Sequence, residues 1–268
     1  MNLLQITAEK PPLQPDIIFK IFDWPITNSI LMSWLVMLLL IVICWQIRQT
    51  KNKKHSYFKN IVEILYESII NLLNQITGSK KYSEKLTPLI GTLIIFIGFG
   101  NLIGLIPIVT SFTWNGLPIF RTPTNDFNLT FSLALAMVLL TQLVSIKDYG
   151  FFGHIGKYLK FKEVFLGFKE SIGAGFMAII EFAIGLLDII SEFAKIISLS
   201  LRLFGNMFAG ETLAVIILSA LAYGLPSVWL AMNLLVAVVQ TIVFGSLTAA
   251  YYMMAVKPEE LSEETQNI

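Results

Sequence analysis

From Thr212 to Val256 the chain carries no formally charged residue, and this run restricts its possible folds more than any other feature. A bilayer core about 30 Å thick calls for about 20 apolar residues of helix, so a membrane is the natural solvent for such a stretch. Composition agrees. The chain is 55% hydrophobic and 14% charged, with a mean hydropathy of +0.72, whereas a globular chain carries about 25% charged residues. A soluble domain and a disordered chain are thereby excluded. The 19 basic and 18 acidic residues leave a net +1, too little for a basic field that would hold nucleic acid, so no such partner is expected. One cysteine, Cys44, excludes a disulfide scaffold or thiolate metal site. His55 and His154 are the two histidines, and no metal or cofactor is expected.

The crossings follow from where charge stops. Residues 30–47 are uncharged and end at Arg48, which reads as a first span. Residues 88–109 form a second span, followed by a turn-rich stretch holding Pro118 and Pro123, and residues 127–146 form a third that closes at Lys147. From Ser171 to Val256 the chain stays largely apolar, broken once at Gly224, Leu225 and Pro226. Glu9, Lys10 and several prolines precede the first apolar run, so the N-terminus does not read as a cleavable signal.

Short-loop lysine and arginine set orientation. One loop holds Arg48, Lys51, Lys53, Lys54 and Lys59; another holds Lys147, Lys157, Lys160, Lys162 and Lys169; the loop between them offers only Arg121. Both basic loops are expected in the cytoplasm, with the N-terminus outside and the tail 257–268 back inside. A bacterial plasma membrane fits this pattern better than an organelle inner membrane. Within residues 56–77, Phe58, Ile61, Leu65, Ile69, Leu72 and Ile76 recur at three- and four-residue steps, away from Glu63, Glu67 and Asn74. That is an amphipathic helix. It either lies on the cytoplasmic membrane face or packs under another protein domain.

Residues 171–223 contain no proline, so one continuous helix is permitted. At about 1.5 Å per residue it would be close to 80 Å long, so the segment is either divided into two spans or steeply tilted. It carries Glu181, Asp188, Glu192, Lys195, Arg202 and Glu211. On a wheel of about 100° per residue, Glu181, Asp188, Glu192, Lys195, Arg202 and Asn206 share one stripe, and Glu211 falls about 180° from Arg202. In the last helix, residues 226–256, Asn233, Gln240 and Tyr251 fall within about 20° of one another. A charge near the bilayer centre costs about 2.5–3.5 kcal/mol on insertion scales. Glu181, Glu192 and Lys195 admit a plain reading as ion pairs near a helix end. Arg202 does not, because no acid lies within four residues of it and its side chain cannot lose a proton. Its partner is expected on another chain or a distant helix. Ser198, Ser200, Gly205, Ala209 and Gly210 give a low surface suited to a close helix contact.

The run Ser198-Leu-Ser-Leu-Arg-Leu-Phe-Gly-Asn-Met-Phe-Ala-Gly-Glu211 closely resembles subunit a of the rotary F-type ATP synthases. Asn101-Leu-Ile-Gly-Leu-Ile-Pro107, Pro123-Thr-Asn-Asp-Phe-Asn-Leu-Thr-Phe-Ser-Leu-Ala-Leu135 and Val239-Gln-Thr-Ile-Val-Phe244 agree as well. The likeness runs from about Leu86 to Ala255. It implies a stator protein beside a ring of c subunits, held by peripheral-stalk b subunits and lipid, with two offset half-channels that couple proton translocation to ring rotation and ATP synthesis. By that resemblance Arg202 is the essential ring-facing arginine, and Glu211 and Gln240 belong to the periplasmic inlet. Asn206 accompanies the arginine, Asp188 with Glu192 marks the cytoplasmic outlet, and Ser198 and Tyr251 hold further polar positions. Where well-known members have a histidine beside the inlet acid, this chain has Asn233, which cannot titrate near neutral pH. Glu211 must then act with water, with Gln240 or with an uncharged partner.

The expected fold is an all-α membrane protein forming a single membrane domain. It has about five membrane-embedded helices and one amphipathic cytoplasmic surface helix, the last two helices being long and tilted against the ring. The transported ion is H⁺, with Na⁺ left open. The alternatives are a secondary transporter or channel with its own intramembrane charged site, which would call for internal repeats, and a scaffold whose charges only hold subunits together.

Overall fold

A computed structural model describes residues 12–50, 57–106, 109, 112–114, 116–158, 172–220 and 225–256. Lys51, Lys53, Lys54, Lys160, Lys162, Lys169 and the tail 257–268, used above for orientation, lie outside the described residues. So do residues 107, 108 and 221–224 at the expected helix ends.

Among the described residues, seven helices carry the architecture: α1 (Asn28–Thr50), α2 (Tyr57–Thr77), α3 (Lys80–Gly104), α4 (Phe127–Tyr149), α5 (Phe151–Tyr158), α6 (Ile172–Ala220) and α7 (Leu225–Ala255). Five of them, α1, α3, α4, α6 and α7, are long and apolar enough to cross a membrane, so the chain is a multi-pass all-α membrane protein. Two small antiparallel hairpins, β1 (Ile17–Ile21) with β2 (Trp24–Thr27) and β3 (Thr113–Trp114) with β4 (Leu117–Pro118), and the short helix α5 were not foreseen. The first hairpin turns through Phe22 and Asp23, both at positive φ (48° and 65°). That is primed-turn geometry without the glycine that usually announces it.

Helix ends follow local chemistry. The Thr27 hydroxyl accepts the Ile30 N–H at the start of α1 (3.4 Å), and an Asp126 carboxylate oxygen accepts the Asn128 N–H at the start of α4 (2.9 Å), each a capping bond. Gly78 and Gly150, at φ 66° and 74°, stop α2 and α4 in the left-handed conformation that favours glycine. Helix α6 is unbroken through 49 residues. At about 1.5 Å per residue it is about 74 Å long, more than twice the bilayer core.

By contact the chain forms two compact units, residues 1–130 with 201–249 and residues 131–200 with 250–268. In the first, α3 is central: Leu86, Ile90, Ile94 and Ile97 are buried at helical spacing against α1 and α2. Helix α2 contributes Ile69 and Leu73, Leu72 and Ile76 are half-buried, and Ile61, Ile64 and Leu65 remain exposed. Its apolar stripe is therefore divided between a protein contact and an open face. Helix α3 begins earlier than the apolar run suggests, because Tyr82 and Ser83 pack inward and the Thr77 and Ser83 hydroxyls bond at 2.7 Å. Buried Arg121 donates to the Gln14 and Pro12 carbonyls (3.0 and 2.7 Å), and Ser29 donates to Asp126, so the N-terminal segment is tied to the loop before α4. In the second unit, Ala134, Met137 and Val138 of α4, Ala178, Ile196 and Leu199 of α6, and Tyr252 of α7 form the core.

Candidate functional site

Each unit holds a cavity with polar side chains on its wall. The cavity in the first unit has a volume of about 640 Å³, and Thr122, Asn206, Glu211, Ser227 and Asn233 stand among apolar residues on its wall. Glu211 is half-buried, and its Oε2 has no hydrogen-bond partner among the described residues. The residue before it is a point of close approach: a Cβ on Gly210 would come 2.7 Å from the Asn233 side-chain oxygen. Only glycine lets α7 come so near. The Gly210 carbonyl accepts two side-chain bonds from α7, from Asn233 Nδ2 (3.1 Å) and Trp229 Nε1 (3.0 Å). Asn206 Nδ2 donates to Gln240 Oε1 (2.6 Å), and Gln240 is buried behind it, its Nε2 without a hydrogen-bond partner among the described residues. Gln240 is thus engaged with Asn206 and does not line the Glu211 cavity.

Arg202 lies one helical turn before Asn206 and is exposed. Leu199, Leu203 and Met207, on another face of the same turns, are buried. The sequence therefore turns the arginine outward by placing its large apolar neighbours inward. Of the small residues flagged in this region, Gly210 makes its close contact within the chain, whereas Gly205 has nothing within 4 Å of its Cβ position.

The cavity in the second unit is about 110 Å³ and is lined by Thr141, Gln142, Ser145, Tyr158, Asp188, Ser191, Glu192, Lys195 and Tyr251, with Met254 and Ala255. Lys195 Nζ lies 2.6 Å from Glu192 Oε1 and 5.2 Å from the centre of the Tyr251 ring. For Glu192 and Lys195 the plain ion-pair reading therefore holds, with a cation–π contact added. Tyr158 donates its hydroxyl to Gln142 Oε1 (3.1 Å). Burial pushes its phenol above the usual range, the Glu192 and Asp188 charges add to this, and the Gln142 bond opposes it.

The sequence stripes are redistributed by packing. Asp188, Glu192, Lys195 and Tyr251 come together in one cavity, and Glu211, Asn233 and Asn206 in the other. Tyr251 shares a wheel stripe with Asn233 and Gln240 but does not join them. Glu181 and Ser198 are exposed and line neither cavity. Sequence reasoning missed Trp229, Thr122 and Ser227 in the first unit and Tyr158, Gln142, Ser145 and Thr141 in the second. Thr141, Gln142 and Ser145 left a usable signal, being polar residues inside an otherwise apolar span. Among the described residues no group of three His, Cys, Asp or Glu side chains is placed to hold a metal ion.

Residues 30–253 match the sequence profile described as ATP synthase A chain. Among similar proteins, ATP synthase subunit a of Desulforamulus reducens is 33% identical over 233 residues, covering 84% of this chain and 77% of the relative. The protein described as ATP synthase subunit a, sodium ion specific, of Propionigenium modestum is 29% identical over 262 residues, 94% of this chain and 82% of the relative. ATP synthase subunit a of Campylobacter concisus is 30% identical over 226 residues, with coverage of 84% and 88%.

Proposed function

The chain belongs to the ATP synthase A chain family, and we propose that it forms the two ion half-channels of that complex and supplies, in Arg202, the fixed charge that couples ion flow to ring rotation. Family membership makes it an ion-transporting membrane subunit of a multi-subunit complex, which displaces the self-contained secondary transporter. The exposure of Arg202 carries the finer reading. An arginine exposed amid apolar helix surface is costly in lipid and stays charged, and a carboxylate presented by another chain would offset that cost. A ring of c subunits, each presenting a carboxylate, meets that need, with b subunits and lipid covering other faces.

In this reading a proton enters the Glu211 cavity from the periplasm and reaches Glu211 through water. Asn233 does not titrate, its Nδ2 is committed to the Gly210 carbonyl, and Gln240 is held by Asn206. From Glu211 the proton neutralises a ring carboxylate, which can then turn through lipid without the desolvation cost of a charge. After nearly a full turn the carboxyl meets the outlet cavity of Asp188 and Glu192 and loses its proton towards the cytoplasm. Arg202 favours the ionised carboxylate where the two paths would otherwise join. Tyr251 positions Lys195, and Ser198 lies on the ring-facing side of α6. Each charge crossing 100 mV releases about 2.3 kcal/mol, so several must pass per ATP.

The orientation has the N-terminus periplasmic and the C-terminus cytoplasmic in a bacterial plasma membrane, with α2 on the cytoplasmic face through Ile61, Ile64 and Leu65. Helices α6 and α7 lie oblique against the ring. The experiment is ATP-driven pumping in reconstituted vesicles. Arg202→Ala is expected to abolish pumping while the complex still assembles, and normal coupled pumping by an assembled variant would refute the stator role. Repeating the wild-type assay with Na⁺ as the only transportable ion separates H⁺ from Na⁺.

A further inference from the structure

The cavity around Asp188, Glu192 and Lys195 has a wall that the transport reading leaves unused. The last residue of α5, Tyr158, stands beside these charges, and α5 is fixed there by three contacts. The Tyr158 hydroxyl donates to Gln142 on α4 (3.1 Å), and one turn earlier His154 Nδ1 and the Ser145 hydroxyl of α4 lie 3.0 Å apart. The third contact is with α6: the Tyr158 carbonyl lies over Gly185, where a Cβ would overlap it. The His154 and Tyr158 rings meet edge to face at 5.1 Å, which stiffens the pair. The cavity, about 110 Å³, admits only a few waters. Raised above the usual phenol range by burial and by Glu192 and Asp188, Tyr158 stays neutral at physiological pH and adds no competing proton station.

We propose that Tyr158 is the gate of this cavity: its ring, held by the hydroxyl's bond to Gln142 and by the backbone carbonyl packed on Gly185, closes the space around Asp188, Glu192 and Lys195 and limits the rate at which water and ions reach them. The gating of ions rests on the reading of this cavity as the outlet path; the closure itself does not. Tyr158 is here a positioning residue that takes no proton. The glycine at 185 is a part of the latch, because any larger residue would lift the end of α5 away.

The test uses the intact ATP synthase in inverted membrane vesicles, with Cys44→Ser to remove the chain's one cysteine and Thr141→Cys as a reporter on the buried wall of the cavity. The rate of modification by a small membrane-impermeant thiosulfonate is measured. Tyr158→Ala is expected to speed modification by about tenfold or more, and Tyr158→Phe, which keeps the ring and loses one hydrogen bond, by about threefold to fivefold. Gly185→Ala, which leaves Tyr158 in place chemically, is expected to act in the same direction. Equal rates in the wild type and in assembled Tyr158→Ala and Gly185→Ala would overturn the gate. Passive proton conduction through the membrane sector is read in parallel and is expected to rise in Tyr158→Ala. Faster modification with unchanged conduction would refute the outlet reading, and with it the gating of ions, while leaving the closure established.

Discussion

The Glu211 cavity and the Asp188 cavity are both built from α6 and α7, yet they treat charge in opposite ways. The first is wide and mostly apolar, with one carboxylate whose Oε2 finds no hydrogen-bond partner among the described residues. The second is several times smaller and crowded with polar groups, and its lysine is already paired with an acid and an aromatic ring. A lone carboxylate in a large cavity is left available to exchange protons with water. Charges that satisfy one another are held in place, and what passes between them depends on what closes the space. One helix thus carries an acid of each kind, and packing determines which is which.

The largest expected effect comes from removing the lone acid. Glu211→Gln is expected to lower proton flux in reconstituted vesicles by about 100-fold, the scale of losing a positioned acid–base group. Asp188→Asn is expected to lower it by less than about tenfold, since Glu192 remains in the same cavity. Equal losses in the two variants would erase the distinction between the cavities. A smaller effect sharpens it. Glu192→Gln leaves Lys195 half-buried without its acid and is expected to destabilise the chain by about 1–2 kcal/mol, below the range for a fully buried pair because both side chains keep some exposure. Adding Lys195→Gln is expected to restore most of that loss. The measurement is thermal unfolding of the detergent-solubilised complex, and an additive loss in the double variant would contradict the pairing.

Much of the fold could be read from the places where charge disappears, because a bilayer leaves a chain few options other than apolar helices. The hairpin at residues 17–27 could not, since its turn uses Phe22 and Asp23 where a sequence reader looks for glycine. Helix α5 was hidden in a segment whose lysines read only as a basic loop. The opposed directions of Arg202, which is exposed, and Glu211, which lines a cavity, were legible from helical angle. The same angles misplaced Tyr251, grouping it with Asn233 and Gln240, because a wheel records direction around one helix and not which neighbour stands at each level. Packing supplied that second coordinate. It also showed Gln240 engaged with Asn206, which no spacing in the sequence foretold.

Access from the two sides of the membrane tests the central claim, that the two cavities serve opposite compartments. In a Cys44→Ser background, Ser227→Cys probes the Glu211 cavity and Ser191→Cys the Asp188 cavity. With an impermeant thiol reagent applied to right-side-out and inverted vesicles in turn, Ser227→Cys is expected to react only from the periplasmic face and Ser191→Cys only from the cytoplasmic face. Reaction of both from one face, or of either from both, would contradict two separate half-channels.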